Sequence, residues 1–166
     1  VYVFRAYDGV FKAIFRKAVE DTEAQLNEII EITEERLSAK EADVFRAHLM
    51  MLADPMLEET VMDKINNGKM KAAKAIKEAT AEIAEMLGSL DDEYMRERAA
   101  DIKDVGSRVL ENATGNARVS LATLRDQVVV FANDLTPSDT ATMDMNYVKG
   151  FVTEIGGRTS HTSIIA

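Results

Sequence analysis

The sequence predicts an α+β mix: an antiparallel helical bundle of four to five helices joined to an incomplete α/β subdomain. Up to Gly115 apolar residues recur at spacings of three and four, the period of amphipathic helices. Beyond it come short β-rich runs broken by turn signals. The 166 residues are 46% hydrophobic and 30% charged with 8 Gly and 2 Pro, a helix-leaning composition with apolar side chains enough for a core.

In the first part, Phe11, Phe15, Ala18, Thr22, Leu26, Ile29, Thr33 and Leu37 form one long stripe with charges opposite. Ser38-Ala39-Lys40-Glu41 reads as a capping box opening a helix that buries Ala42, Phe45, Leu49 and Leu52. Asp54-Pro55 starts another, with a carboxylate at the N-cap and proline in the first turn. That helix is expected to stop at Asn66-Asn67-Gly68, where Asn or Gly takes the left-handed conformation. A further helix runs through Ala72, Ala75, Ile76, Ala79, Ile83 and Leu87 to Gly88. The last starts at Asp91 or Asp92 and continues through Met95, Ala99, Ile102, Val105 and Val109 to Asn112–Gly115. Connections this short imply antiparallel neighbours.

The remaining chain alternates. Gln127–Ala132 reads as a strand, Thr136-Pro137-Ser138-Asp139 as the cap of a short helix, and Gly150–Ile155 as a second strand. Gly156-Gly157 breaks that strand, and Thr159 or Ser160 caps a helix beginning near His161. Val1-Tyr2-Val3-Phe4 looks like an apolar strand, and Ile164-Ile165-Ala166 leaves apolar residues still to bury, so the chain reads as a piece of a longer protein. The expected division is residues 9–115 as a helical subdomain, and residues 1–8 with 116–166 as a partial α/β subdomain.

Charge narrows the function. Residues 9–115 hold 15 basic and 23 acidic side chains, net −8, within a chain of net −9. Such a surface repels phosphate backbones and anionic lipid, which argues against nucleic-acid and membrane partners and favours a basic protein. There is no cysteine, hence no disulfide and no thiolate site, and two histidines make a multi-histidine metal centre improbable. No apolar run reaches the length of a membrane span and no signal peptide opens the chain, so the expected location is cytoplasmic.

Chemistry concentrates in Gly156-Gly157-Arg158-Thr159-Ser160-His161-Thr162-Ser163. Two glycines admit close backbone approach, and a helix start offers unpaired N–H groups to an anion. Arg158 adds a planar cation suited to phosphate oxygens, and Thr159 adds a hydroxyl donor. A neutral imidazole offers a lone pair near neutral pH without a separate base, so His161 suits transient phosphorylation. A histidine in a Gly/Ser/Thr loop also serves merely to cap a helix, and composition alone does not separate the two roles.

The run Gly156–Ile164 resembles the phosphohistidine signature of the Enzyme I family, the phosphoenolpyruvate–protein phosphotransferases of bacterial sugar uptake. Asp134–Ala141, the stretch from Asp91-Asp92-Glu93-Tyr94 to Gly106, and Phe45–Leu52 resemble the same family in order, while residues 1–15 match poorly. The resemblance implies a helical HPr-binding subdomain inserted into a swivelling phosphohistidine subdomain. It makes His161 the residue phosphorylated at Nε2, which passes the group to a histidine of HPr, and Thr140 the hydroxyl that contacts it. Arg158 and Thr159 stand beside them as phosphate neighbours.

Carried over by position, the HPr surface comprises Val44, His48, Met50, Met51, Leu87 and Arg98. Independently of the family, Met50 and Met51 cannot both sit in one stripe, so at least one points outward. On their own these methionines would complete a bundle core, His48 would be a partly buried polar residue, and Arg98 a solvated one paired with Asp101 or Glu97. Ala39, Lys40, Pro55 and Met56 stand where enterobacterial members carry acidic residues, which implies a more apolar interface.

Two other readings fit parts of the pattern. One is the swivelling domain of pyruvate phosphate dikinase or phosphoenolpyruvate synthase; the other is a non-catalytic helical interaction module. The Enzyme I resemblance also implies that phosphoenolpyruvate and Mg²⁺ bind a C-terminal domain beyond this stretch, leaving no cofactor here. It implies dimerisation through that domain and a monomer without it. Accordingly the isolated chain is expected to take up no label from radioactive phosphoenolpyruvate, as scored by acid-labile phosphohistidine.

Overall fold

The computed structural model describes residues 2–36, 38–116, 121, 124–133, 135, 139–140 and 143–154. In order these form α1 (Tyr2–Arg36), α2 (Ala39–Leu52), α3 (Pro55–Asn66), α4 (Ala72–Gly88), α5 (Glu93–Thr114), β1 (Val128–Ala132) and β2 (Val148–Thr153). Five helices and a two-stranded parallel sheet make a mixed α+β fold. The chain divides into two compact units, one of Val1–Asn27 with Arg46–Ala117, the other of Glu28–Phe45 with Arg118–Ala166.

The expected stripe of α1 is buried at Phe15, Ala18, Thr22, Leu26, Ile29 and Thr33. Its two threonines satisfy their hydroxyls within the helix, Thr22 donating to the Ala18 carbonyl at 2.7 Å and Thr33 to Ile29 at 2.6 Å. The strand expected at Val1–Phe4 is corrected: Tyr2–Phe4 are the first turn of α1. Apolar β-formers there continue the helical run, tertiary and local context overriding a weak propensity.

Ser38 opens α2 by donating to the Glu41 carboxylate, a capping pair made side chain to side chain. Asp54 caps α3 by accepting from the Met56 N–H at 2.9 Å, with Pro55 at the first helical position. The stop of α3 differs from expectation in one detail. Asn67 remains right-handed, and the left-handed residue is Lys69, at φ 53°. Gly68 is needed for closeness instead, since a Cβ there would lie 2.7 Å from the Lys64 carbonyl oxygen.

Asp92 caps α5 by accepting from the Met95 N–H at 3.0 Å, and Gly115, at φ 69°, closes it. There the Asn116 N–H reaches the Glu111 carbonyl at 3.1 Å, the six-to-one bond of a left-handed helix stop.

In the helical unit, α4 and α5 run antiparallel, with Gly88 opposite Ala99 and Thr80 opposite Gly106. Ala75, Ile76, Ala79, Val105 and Val109 close the space between helices with almost no solvent contact. The small residues bring α4 near its neighbours, and each larger one buried adds about 1.5–3 kcal/mol of transfer free energy. The N-terminal helix is tied in by polar contacts. Asn112 of α5 donates to the Thr22 hydroxyl at 2.9 Å and exchanges hydrogen bonds with Gln25. Lys69 pairs with Asp8 at 3.2 Å and Arg16 approaches Glu58 at 3.9 Å, which sets α1 antiparallel to α3.

In the other unit, β1 and β2 pair in parallel, Val128 with Val148 and Phe131 with Val152, with an irregularity after Val128. Observed β2 starts two residues before its expected start at Gly150, because Asp144 folds a turn that delivers the chain at once. Its carbonyl accepts from the Tyr147 and Val148 N–H groups at 3.0 and 2.8 Å. Leu135, Met143 and Val148 form the core beneath the strands, joined by Leu121, Leu124, Val130 and Phe151. On the opposite face Val129, Phe131 and Val152 are exposed. Asp139 and Thr140 are helical, while Thr136-Pro137-Ser138, Ile155 and the helix expected near His161 lie outside the described residues.

Gly106→Ala is expected to destabilise the helical unit by about 1–3 kcal/mol in thermal melts. Its Cβ would fall 2.3 Å from the Thr80 side chain, closer than packed atoms stand. Replacing Asp54 by Ala removes an N-cap and should cost about 1 kcal/mol in the same measurement.

Candidate docking face and phosphohistidine segment

The helical unit carries an apolar pocket of about 90 Å³ where α3, α4 and α5 converge on the end of α2. Met51, Met56, Leu57, Ile83, Leu87, Met95 and Ile102 line it, with Asp54 and Arg98 supplying charge. Three of the residues expected on a partner surface, Met51, Leu87 and Arg98, therefore come together here. The helix caps explain how. Asp54 holds the start of α3 and Asp92 the start of α5, so the ends that bear Met56 and Met95 cannot fray away.

The two adjacent methionines separate as the spacing requires. Met50 is 69% exposed, whereas Met51 is 8% exposed and lines the pocket. Met56, Met86, Leu90 and Tyr94 are also exposed, giving the unit a soft apolar surface. Arg98 lies with its guanidinium 5.2 Å from the centroid of the Tyr94 ring, a cation–π contact one helical turn long. Taken alone it would be expected to pair with Asp101 or Glu97, yet Asp101 turns to His48. Val44 is half-buried on the first half of α2, in the other unit.

His48 is 1% exposed, so its side chain lies beneath the surface on which position alone would put it. Its Nε2 stands 3.5 Å from Asp101 Oδ1 and its Nδ1 3.6 Å from Asp104 Oδ2. Arg108 Nε adds a third charge, 3.8 Å from the same Asp104 oxygen. Sequence reasoning offered Asp101 only as a partner for Arg98 and passed over Asp104 and Arg108. The available signal was their spacing of three and four on a face of α5 otherwise filled by Ile102, Val105 and Val109.

Two ammonium groups are raised above the ordinary lysine value of 10.5, Lys17 by its hydrogen bond to Asp21 and Lys64 by its bond to Glu82. Neither belongs to the pocket lining. Among the described residues no cluster of histidine and carboxylate side chains fits a metal ion. No helix among them is long and apolar enough to cross a membrane.

Of the expected phosphotransfer residues, Thr140 is described: it is helical and 5% exposed. Arg158, Thr159 and His161 lie outside the described residues.

Residues 11–98 match the family described as PEP-utilising enzyme, N-terminal, and residues 124–166 match the PEP-utilising enzyme, mobile domain. The helices α2 to α4 with most of α1 fall within the first match, and the parallel sheet falls within the second. The chain belongs to the PEP-utilising enzyme family. It is 47% identical over 152 residues to the phosphoenolpyruvate-protein phosphotransferase of Listeria monocytogenes, covering 92% of this chain and 27% of that protein. With the same enzyme of Staphylococcus epidermidis the identity is 43%, at the same coverage. The chain thus spans about a quarter of the length of these relatives.

The solution structure of an Enzyme I superposes with a TM-score of 0.85 at 43% identity, covering 96% of this chain and 64% of that one. The N-terminal domain of a nitrogen Enzyme 1 shares the fold, at a TM-score of 0.72 and 20% identity, over 95% of this chain and 64% of that one.

Met50→Ala should leave the melting free energy within about 0.5 kcal/mol of the parent, as surface substitutions do. Met51→Ala, which empties a buried position, should cost about 2–5 kcal/mol in the same denaturant titration.

Proposed function

We propose that this chain is the phosphoryl-relay portion of a phosphoenolpyruvate–protein phosphotransferase. In this reading His161 accepts a phosphoryl group that originates in phosphoenolpyruvate and hands it to a histidine of the carrier HPr. The observation that carries it is the coincidence of the Gly156–Ile164 signature with the mobile-domain match over residues 124–166.

The chemistry follows from the residue types. The His161 Nε2 lone pair attacks phosphorus, an N–P bond forms, and the P–O bond breaks with its electron pair leaving on the enolate oxygen; protonation of that enolate at its methylene carbon gives pyruvate. In the second step the carrier's imidazole attacks, the N–P bond to His161 breaks, and the lone pair returns to His161. Both steps are in-line displacements in which positioning and neutralisation of spread negative charge dominate. Arg158 and Thr159 supply that neutralisation, and the Thr140 hydroxyl orients the imidazole. Mg²⁺ supplies charge compensation for phosphoenolpyruvate and is assigned to a C-terminal domain, which also carries the dimer contact.

HPr docks on the helical unit. Met50, Met51, Leu87 and Arg98 line or flank one pocket, and the exposed thioethers adapt to an apolar anchor on the partner. The net −8 of residues 9–115 steers a basic carrier towards it. With Pro55 and Met56 both exposed near this pocket, the contact is more apolar than ionic. Work on sugar uptake by such a relay takes place in the cytoplasm.

The test is to mix the chain with labelled phospho-HPr and map the acid-labile phosphate. Label is expected on His161, and His161→Ala is expected to abolish it; unchanged labelling of that variant would sink the proposal. Met50→Asp is expected to weaken HPr binding about tenfold, corresponding to about 1.4 kcal/mol, by calorimetry.

A further inference from the structure

We propose that His48, held between Asp101 and Asp104, is a positioning residue: it fixes the rotation of α2 on α5 and so keeps Met50 facing the carrier. The proposal rests on the carrier-docking reading for its functional consequence, but its structural half stands on the helical unit alone.

The geometry separates holding from touching. His48 is 1% exposed, and both ring nitrogens face α5, Nε2 at 3.5 Å from Asp101 and Nδ1 at 3.6 Å from Asp104. The two carboxylates sit three residues apart on α5 and therefore on one face, each facing one ring nitrogen. Arg108, one turn further along, lies 3.8 Å from Asp104 and is itself buried. With a carboxylate facing each edge of a buried ring, rotation of α2 would draw the imidazole away from Asp101 and Asp104 and leave buried polar atoms further from any counter-group, a cost that an apolar side chain does not impose.

Helical geometry then connects the ring to the surface. At about 100° per residue, Met50 lies about 200° around α2 from His48 and Met51 about 300°. With His48 turned inwards, Met50 points away, which agrees with its 69% exposure, and Met51 returns to the buried side at 8%. A rotation by one residue that turned Met51 outward would carry Met50 to the place of Leu49, which is half-buried. The charged cluster therefore determines which methionine the carrier meets.

The test uses two readouts on the same variants: the Met50 methyl resonance, which needs no carrier, and the kinetics of exchange with phospho-HPr. His48→Ala is expected to shift the Met50 methyl resonance and to raise KM for HPr about tenfold, while the transfer rate at saturating HPr stays within about twofold. His48→Gln, whose amide reaches the Asp101 side, is expected to recover most of the loss. His48→Ala added to Met50→Ala should raise KM no further than Met50→Ala alone, since both act through one contact. Should His48→Ala lower only the melting temperature, leaving resonance and KM untouched, His48 is merely structural and the proposal is overturned. Independent, multiplicative effects of the two substitutions would also overturn it, by showing that His48 touches the carrier itself. If the parent chain fails to exchange with HPr, the docking reading falls, and the methyl resonance alone decides the positioning role. If His48→Ala does not fold, Asp101→Asn, at the more exposed edge of the cluster, carries the same two readouts.

Discussion

The closeness of α4 and α5 is the constraint on which the helical unit depends. At Gly106 the backbone of α5 meets the side chain of Thr80 with no room for another carbon. Seven residues towards the start of α5, the same approach sets Ala99 opposite Gly88. Helices this near leave their larger side chains nowhere to go but the open end of the groove. There Ile83 and Leu87 from one helix meet Met95, Arg98 and Ile102 from the other. The pocket is thus a by-product of small residues in the middle of the helix pair and large ones at its end, and its mouth is held by the Asp54 and Asp92 caps.

Much of this was legible in the chain. The stripe of α1, the buried faces of α4 and α5, and both aspartate caps follow from periodicity and local chemistry, which act within one or two helical turns. The left-handed stop at Gly115 does too, because a glycine there removes a steric penalty no other residue avoids. Where reading failed, the deciding forces were less local. Nothing in Tyr2–Phe4 distinguishes an apolar strand from the start of a helix that continues for 35 residues. At the end of α3, Asn or Gly was the expected left-handed residue, yet the positive φ falls on Lys69, one residue past the close approach of Gly68 to Lys64.

The candidate site shows the same division. That Met50 and Met51 must part follows from 100° per residue, but which faces water depends on what anchors α2. The anchor is a charge cluster on another helix, some fifty residues away in sequence, and no spacing rule links His48 to Asp101 and Asp104. Resemblance placed His48 on a partner surface by position; its burial gives the residue a supporting place beneath that surface. For Arg98 the familiar salt-bridge partner was available one turn away, and the ring of Tyr94 took it instead. A guanidinium is weakly hydrated and stacks readily, so an aromatic face competes well with an exposed carboxylate.

The two parallel strands have a consequence for how the molecule is made. Their pairing closes over the 15 residues that separate Ala132 from Val148, whereas α4 packs against α3 and α5, its neighbours in sequence, across short turns. Local contacts form early and distant ones late, so on the ribosome the helices can assemble while β1 still waits for β2. During that interval Val129 and Phe131 are bare, and even after pairing they stay uncovered beside Val152. Bare apolar strand surface of this kind is prone to pair with other chains, so the interval before β2 arrives is when the molecule is most open to aggregation.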